Sequence, residues 1–247
     1  KQTEVDLNHL MPYDYIEYTL SSKSHNNSEI PLERNHLTME VEKGQQIVGW
    51  QLILSDQDSE NIIDKAYACD IASGPINASI ETIQLYHLEK QVIPLLGSGM
   101  NPILDKDVDM ISICGMGGKL TIDILDEHRE FLAHHRFILQ ANIGLEILRE
   151  YLYKQNMKII DESIVKDAQH IYEIIVCEKT DDMIAYQEED FYFGPCLRKN
   201  KNGLFYEKWH RQLEIQKGIL NSLEEQHPRY HVIMHLITMI EGEISGS

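Results

Sequence analysis

From residue 46 onward, short apolar runs alternate with stretches whose apolar residues recur at helical spacing. Ile47 to Leu54 and Ala66 to Ile71 have the length and content of strands. Ile76, Ile80, Ile83, Leu85 and Leu88 predict a helix from about Gly74 to Leu88, with Pro75 in its first turn, where a missing N–H costs nothing. The alternation repeats. Val92 to Leu96 is a strand ended by Gly97-Ser98-Gly99, and Met110 to Cys114 a strand ended by Gly115-Met116-Gly117-Gly118, with a helix following through Leu125. Phe137 to Gln140 reads as a strand and Leu145 to Tyr153 as a helix.

Strands alternating with helices of this length predict a parallel sheet covered on both faces, an α/β fold of the Rossmann type. The pattern then changes. Lys158 to Val165 and Ile171 to Cys177 are separated only by a short turn, which predicts a terminal antiparallel hairpin. Leu204 to Leu223 and Tyr230 to Ile244 predict two helices, an antiparallel helical hairpin broken at Gln226-His227-Pro228. The expected organisation is an atypical segment 1–45, an α/β domain 46–180 and a helical, coiled-coil-like domain 181–247.

Composition narrows the field. Hydrophobic residues are 43% of 247, enough for a sizeable core, and the longest apolar runs fall far short of the ~20 residues a membrane span needs. No secretory signal is visible, and four widely spaced cysteines suggest reduced thiols, so a cytoplasmic protein is expected. The formal net charge of −18 argues against non-specific affinity for nucleic acid, while leaving room for a local basic patch. The twelve histidines lack ligand spacing, so no metal site is expected.

In an open parallel sheet, ligands bind outside the carboxyl ends of the strands. Asp70 closes one strand, where a carboxylate can accept both hydroxyls of a ribose, or can merely cap the next helix. Gly97-Ser98-Gly99-Met100 follows the next strand; small residues there allow close approach of a ring system, or form an ordinary turn. Cys114-Gly115-Met116-Gly117-Gly118 is more specific, with three glycines in four positions between a strand and a helix N-terminus. It is neither GxGxxG nor a Walker loop. Gln140 and Asn142 end the following strand, where a carboxamide pair could hold the edge of a planar base, or Asn142 could cap a helix.

With these blocks in order, the chain resembles the bacterial tRNA methyltransferases that modify N1 of an adenine. The resemblance is carried by Gly74-Pro75, Gly97-Ser98-Gly99-Met100, Asp109 to Gly118, Leu139-Gln140-x-Asn142 and Leu148-Arg149. It continues through Ile159-Ile160-Asp161-Glu162, Tyr172-Glu173-Ile174, Phe193-Gly194-Pro195 and Lys208-Trp209, over about three quarters of the chain. It implies a Rossmann-like class I methyltransferase domain with a C-terminal helical hairpin, S-adenosyl-L-methionine as cofactor and tRNA as partner. By resemblance Asp70 holds the cofactor ribose and Gly97, Ser98, Gly99 and Met100 line its adenine. Cys114, Gly115 and Gly117 lie against the cofactor, and Gly115, Met116 and Asn142 face the reacting base. A monomer or weak dimer is expected.

The chain departs from the family pattern in three places. The family's first strand runs into an Asp-x-Gly-Ser-Asp-His-x-x-Leu-Pro loop; here the candidate strand is followed by Leu54-Ser55-Asp56-Gln57-Asp58-Ser59, without glycine, and only Asp6 to Pro12 echoes the loop far upstream. Ser98 stands where the family has Asp, and Ala141 where it has Pro before the Asn. A non-catalytic relative that binds or regulates is the alternative reading.

Overall fold

The computed structural model describes residues 65–245. The predicted strand Ile47 to Leu54, the segment 1–45 and the echo at Asp6 to Pro12 lie outside the described residues. The chain divides into two compact units, one running to Val108 with Ser112–Gly115, the other comprising Asp109–Ile111 and Met116–Ser247.

In the first unit, β1 (Ala66–Asp70) and β2 (Val92–Leu96) pair in parallel, from Ala66 opposite Val92 to Asp70 opposite Leu96. The helix α1 (Ser73–Leu85) makes the crossover that a parallel pair requires. It stops three residues short of the expected Leu88, because His87 takes a positive φ of 57° that no helix continues through. A 3-10 turn at Asn101–Ile103 follows β2, too short for any periodicity to announce it.

The strand β3 (Met110–Gly117) contributes residues to both units and heads a four-stranded sheet of order β3-β4-β6-β5. Here the expectation of a glycine loop after Cys114 is corrected. The strand continues through Gly115, Met116 and Gly117, and α2 (Gly118–Glu127) begins with no residue between. Gly115 permits this by adopting φ +78°, a conformation that side chains rarely take.

In the second unit, β4 (Arg136–Ile143) is buried without interruption from Phe137 to Ala141, as a strand covered on both faces must be. It is longer than the predicted Phe137 to Gln140 and carries Asn142 within it, so Asn142 caps no helix. Gly144, at φ +73°, is the residue before α4 (Leu145–Lys154). The short α3 (Arg129–Leu132) links α2 to β4. The predicted hairpin is present: β5 (Met157–Asp167) and β6 (His170–Lys179) pair antiparallel down to Asp167 opposite His170, with Ala168 at φ +46° in the turn. On its other side β6 pairs antiparallel with β4.

The C-terminal helices are also as predicted. After a short α5 (Glu188–Phe193), α6 (Gly203–Asn221) starts at Asn202, whose Oδ1 accepts from the Phe205 N–H at 3.0 Å. Phe205, Trp209 and Leu213 recur every four residues on its buried face. They pack with Ile233, Ile237 and Ile240 of α7 (Tyr230–Ser245), with Phe193, and with Ile164 of β5. The hairpin therefore shares one hydrophobic core with the β5 edge of the sheet.

Beside that core lies a buried charge cluster. Arg149 of α4 donates from Nε to Glu162 of β5 at 2.8 Å and from Nη2 to Glu173 of β6 at 2.7 Å, and all three side chains are fully buried. Its Nη1 donates to the carbonyls of Phe191 and Tyr192 at 3.1 and 3.2 Å. Glu162 Oε2 accepts from the Cys196 N–H at 2.8 Å, and Lys208 of α6 donates to Glu173 at 2.6 Å. Two cations thus meet two carboxylates, and the free lone pairs go to backbone N–H groups, which is how ions become tolerable in a core.

Candidate active site

The two candidate half-sites belong to different units, and each has its own geometry. In the first, parallel pairing sets Asp70 opposite Leu96, so the chain leaving β2 passes directly over the end of β1. The Gly97 N–H donates to the Asp70 carbonyl at 2.8 Å, which brings Asp70 and the Gly97–Met100 segment together as the sequence suggested. A Cβ on Gly97 would lie 2.5 Å from Pro102 Cγ, so a side chain at position 97 would push against the Pro102 ring. Gly99 has φ +52°, Ser98 is exposed and Met100 is fully buried.

Asp70 is 6% exposed, and its Oδ1 accepts from the Ala72 N–H at 2.6 Å. Burial pushes its carboxyl above the usual value, against the pull of the Ala72 and Ile71 N–H groups. Such a carboxylate at a parallel strand end has the chemistry for a vicinal diol. Cys114 and Gly115 also fall in this unit. Cys114 is buried with its Sγ 3.3 Å from Ser112 Oγ, and among the described residues nothing lies within 4 Å of where a Gly115 Cβ would be.

The second half-site is built where β3 and β4 hand over to their helices. The start of α2 lies against the start of α4: a Cβ on Gly118 would stand 2.1 Å from the Gly144 carbonyl oxygen. Gly118 is therefore a packing residue. Gly117 is not, because among the described residues its Cβ would meet only the Ile143 side chain, at 3.5 Å. Met116 is partly exposed, and Thr121 Oγ1 returns a hydrogen bond to the Gly117 carbonyl at 3.2 Å. Asn142 is exposed, whereas Gln140 is fully buried and donates from Nε2 to Asn142 Oδ1 at 3.0 Å. The carboxamide pair read from the sequence is thus split into one reachable group and one that supports it.

Sequence reasoning missed Gly144, whose importance comes from a contact with Gly118 that is distant along the chain. It also left Arg149, Glu162, Glu173 and Lys208 as motif residues without a role; they are the buried cluster. Among the described residues, no cysteine forms a disulfide. Among the described residues, no helix is long and apolar enough to cross a membrane, and no group of His, Cys, Asp and Glu is arranged to hold a metal ion.

A parallel strand pair ending at an acidic residue, and a four-stranded sheet with an antiparallel hairpin at its edge, define a Rossmann-like fold of the class I methyltransferase kind. The family model for TrmK, tRNA (adenine(22)-N(1))-methyltransferase, matches residues 58–242, and the chain belongs to that family. It is 32% identical over 165 residues to the tRNA (adenine(22)-N(1))-methyltransferase of Bacillus subtilis, covering 65% of this chain and 69% of that one. A putative tRNA (m1A22) methyltransferase from Streptococcus pneumoniae, solved in complex with S-adenosyl-L-methionine, superposes with a TM-score of 0.66 at 29% identity, over 73% of this chain and 81% of that one. The TrmK of M. capricolum, solved with S-adenosyl-homocysteine, gives 0.66 at 25% identity, over 74% and 81%.

Proposed function

We propose that this chain is an S-adenosyl-L-methionine-dependent methyltransferase of the cytoplasm, acting on N1 of adenine 22 in tRNA. Family membership supports the reaction, and the observation in this chain that carries it is the buried Asp70 carboxylate at the end of β1, tied to the Gly97–Met100 segment by the Gly97 N–H on its carbonyl. Asp70 fits the cofactor: a carboxylate at the end of a parallel strand can accept from both ribose hydroxyls. In this reading Asp70 holds the ribose, Gly97, Ser98, Gly99 and Met100 line the adenine, and Cys114, Gly115 and Gly117 lie along the cofactor. Gly115, Met116 and Asn142 face the base to be methylated.

The bound cofactor supplies an activated methyl group. Adenine N1 carries no proton, so its lone pair can form the new bond without a general base, and the product carries the positive charge. What remains for the protein is alignment, exclusion of water and a grip on the base edge, and the half-sites offer backbone and one carboxamide for those tasks. With a net charge of −18, bulk attraction to phosphate contributes little. Of the six Lys and Arg from 198 to 217, Arg198, Lys201, Lys208 and Lys217 are paired with carboxylates. Recognition in this reading rests on tRNA shape and an exposed base rather than on a broad basic face.

The test is transfer of labelled methyl from S-adenosyl-L-methionine to a tRNA with adenine at position 22, with a guanine-22 transcript as control and S-adenosyl-homocysteine binding measured by calorimetry. Label on the first transcript alone is expected. Binding without transfer would establish the non-catalytic alternative, and no binding would overturn both.

A further inference from the structure

We infer that Ile143 is a substrate-contact residue, supplying the apolar face on which the adenine rests once it has left the tRNA stack. The inference deepens the function proposed above and rests on it.

Ile143 ends β4 and is 68% exposed. Single exposed apolar side chains are ordinary on a protein surface; adjoining ones at the carboxyl end of a strand stand where ligands bind. Ile143 has such a neighbour. Its Cγ1 lies 3.5 Å from where a Gly117 Cβ would be, so its side chain lies over the end of β3. Ile147, also exposed, has Cγ1 and Cδ1 at 3.4 Å from where a Gly144 Cβ would be, and Gly144 is the residue whose carbonyl meets Gly118. Two isoleucines therefore flank the glycine seam at which α2 and α4 begin.

The seam itself carries no charged side chain. Met116 to Gly118 and Asn142 to Leu145 contain one polar side chain, the carboxamide of Asn142. Such a surface offers a phosphate no cation, and it suits a flat, uncharged ring with hydrogen-bonding edges. Adenine is that ring. Its N1 lies on the pairing edge and is shut away within a stacked strand, so the base must be drawn out before it can be methylated, at the expense of its stacking. An apolar side chain against one face offsets part of that loss and holds the plane of the ring for transfer.

The experiment compares I143A and I143L with wild type on the full chain, reading kcat/KM for a tRNA with adenine at position 22, S-adenosyl-homocysteine affinity and Tm. I143A deletes three carbons from the face and should lower kcat/KM about 10- to 50-fold. I143L keeps the face and should stay within about threefold of wild type. Cofactor affinity should stay within about twofold in both, and Tm should move little because the side chain is exposed. A loss smaller than about fivefold in I143A, an equal loss in I143L, or a matching fall in cofactor affinity overturns the inference. The last result would place Ile143 against the cofactor instead of the base. Should I143A not fold, I143T decides, since it keeps the β-branch and wets the face. A loss of at least about fivefold there, with cofactor affinity unchanged, supports the inference, and any other result overturns it. A wild-type chain that transfers no methyl group overturns the proposed function, and this inference with it.

Discussion

Arg149 and Glu173, 24 residues apart in the chain, meet at 2.7 Å with both side chains fully buried. Each has a second commitment. Arg149 also serves Glu162 and two carbonyls near the end of α5, and Glu173 also accepts from Lys208 of α6. The pair therefore joins α4, the β5–β6 hairpin and the C-terminal helices in one electrostatic unit. Removing one partner leaves the other charge stranded without water, a cost of about 3–5 kcal/mol. Arg149→Met and Glu173→Gln should each lose that much in urea unfolding. Arg149→Lys should recover little, since a point charge cannot serve four acceptors arranged for a planar fork.

The same cluster sets a pH dependence. Burial works against the charged form of Glu173, but Arg149 and Lys208 outweigh it and hold its carboxyl below the usual 4.5. A carboxylate depressed on folding adds stability that is present above pH 4.5 and lost as pH falls through its folded value. Glu162 goes the other way. Burial exceeds the help of Arg149 and of the Cys196 N–H, and its carboxyl is raised, so its contribution is present below pH 4.5 and fades as pH rises through its folded value. The stability gap between wild type and Glu173→Gln should accordingly narrow between pH 6 and pH 3, as read by denaturant titrations. A gap that stays constant would mean that Glu173 is not ionised in the fold.

Asp70→Asn tests the first half-site. The substitution keeps the volume and an acceptor for the Ala72 N–H, so the melting temperature should change little. It removes the charge that strengthens hydrogen bonds to a diol, worth about 1.5–3 kcal/mol. S-adenosyl-homocysteine should bind about 10- to 100-fold more weakly by calorimetry, and an unaltered affinity would remove Asp70 from the ribose.

Which parts of this were legible in the sequence follows from how local each signal is. The strands at Ala66, Val92 and Met110, the β5–β6 hairpin and the helices α6 and α7 announce themselves within a dozen residues, by apolar period and turn chemistry. Gly115 to Gly117 do not: glycines disfavour strands by propensity, so a strand running through them reads as a loop. Arg149, Glu162, Glu173 and Lys208 each look like surface charges, and only the fold brings their positions together. Gln140 and Asn142 read as equivalents because nothing along the chain shows where the cover over β4 ends.

The two central glycines should respond in opposite ways, although they are neighbours. A side chain on Gly118 drives into the Gly144 carbonyl, at 2.1 Å from Cβ, and that oxygen belongs to backbone held at φ +73°. Gly118→Ala should cost about 2–3 kcal/mol, the range for overpacking that only a backbone shift can relieve. At Gly117 the new Cβ finds, among the described residues, only the flexible Ile143 side chain at 3.5 Å, and the backbone there, φ −79° and ψ 150°, suits a β-branched residue. Gly117→Val should therefore melt close to wild type while losing ligand binding, because the branched side chain occupies the space through which the ligand approaches the backbone. Thermal melts with calorimetry on both variants separate the cases. A Gly117→Val protein that unfolds would make this glycine structural, and one that binds S-adenosyl-homocysteine normally would remove the end of β3 from the cofactor site.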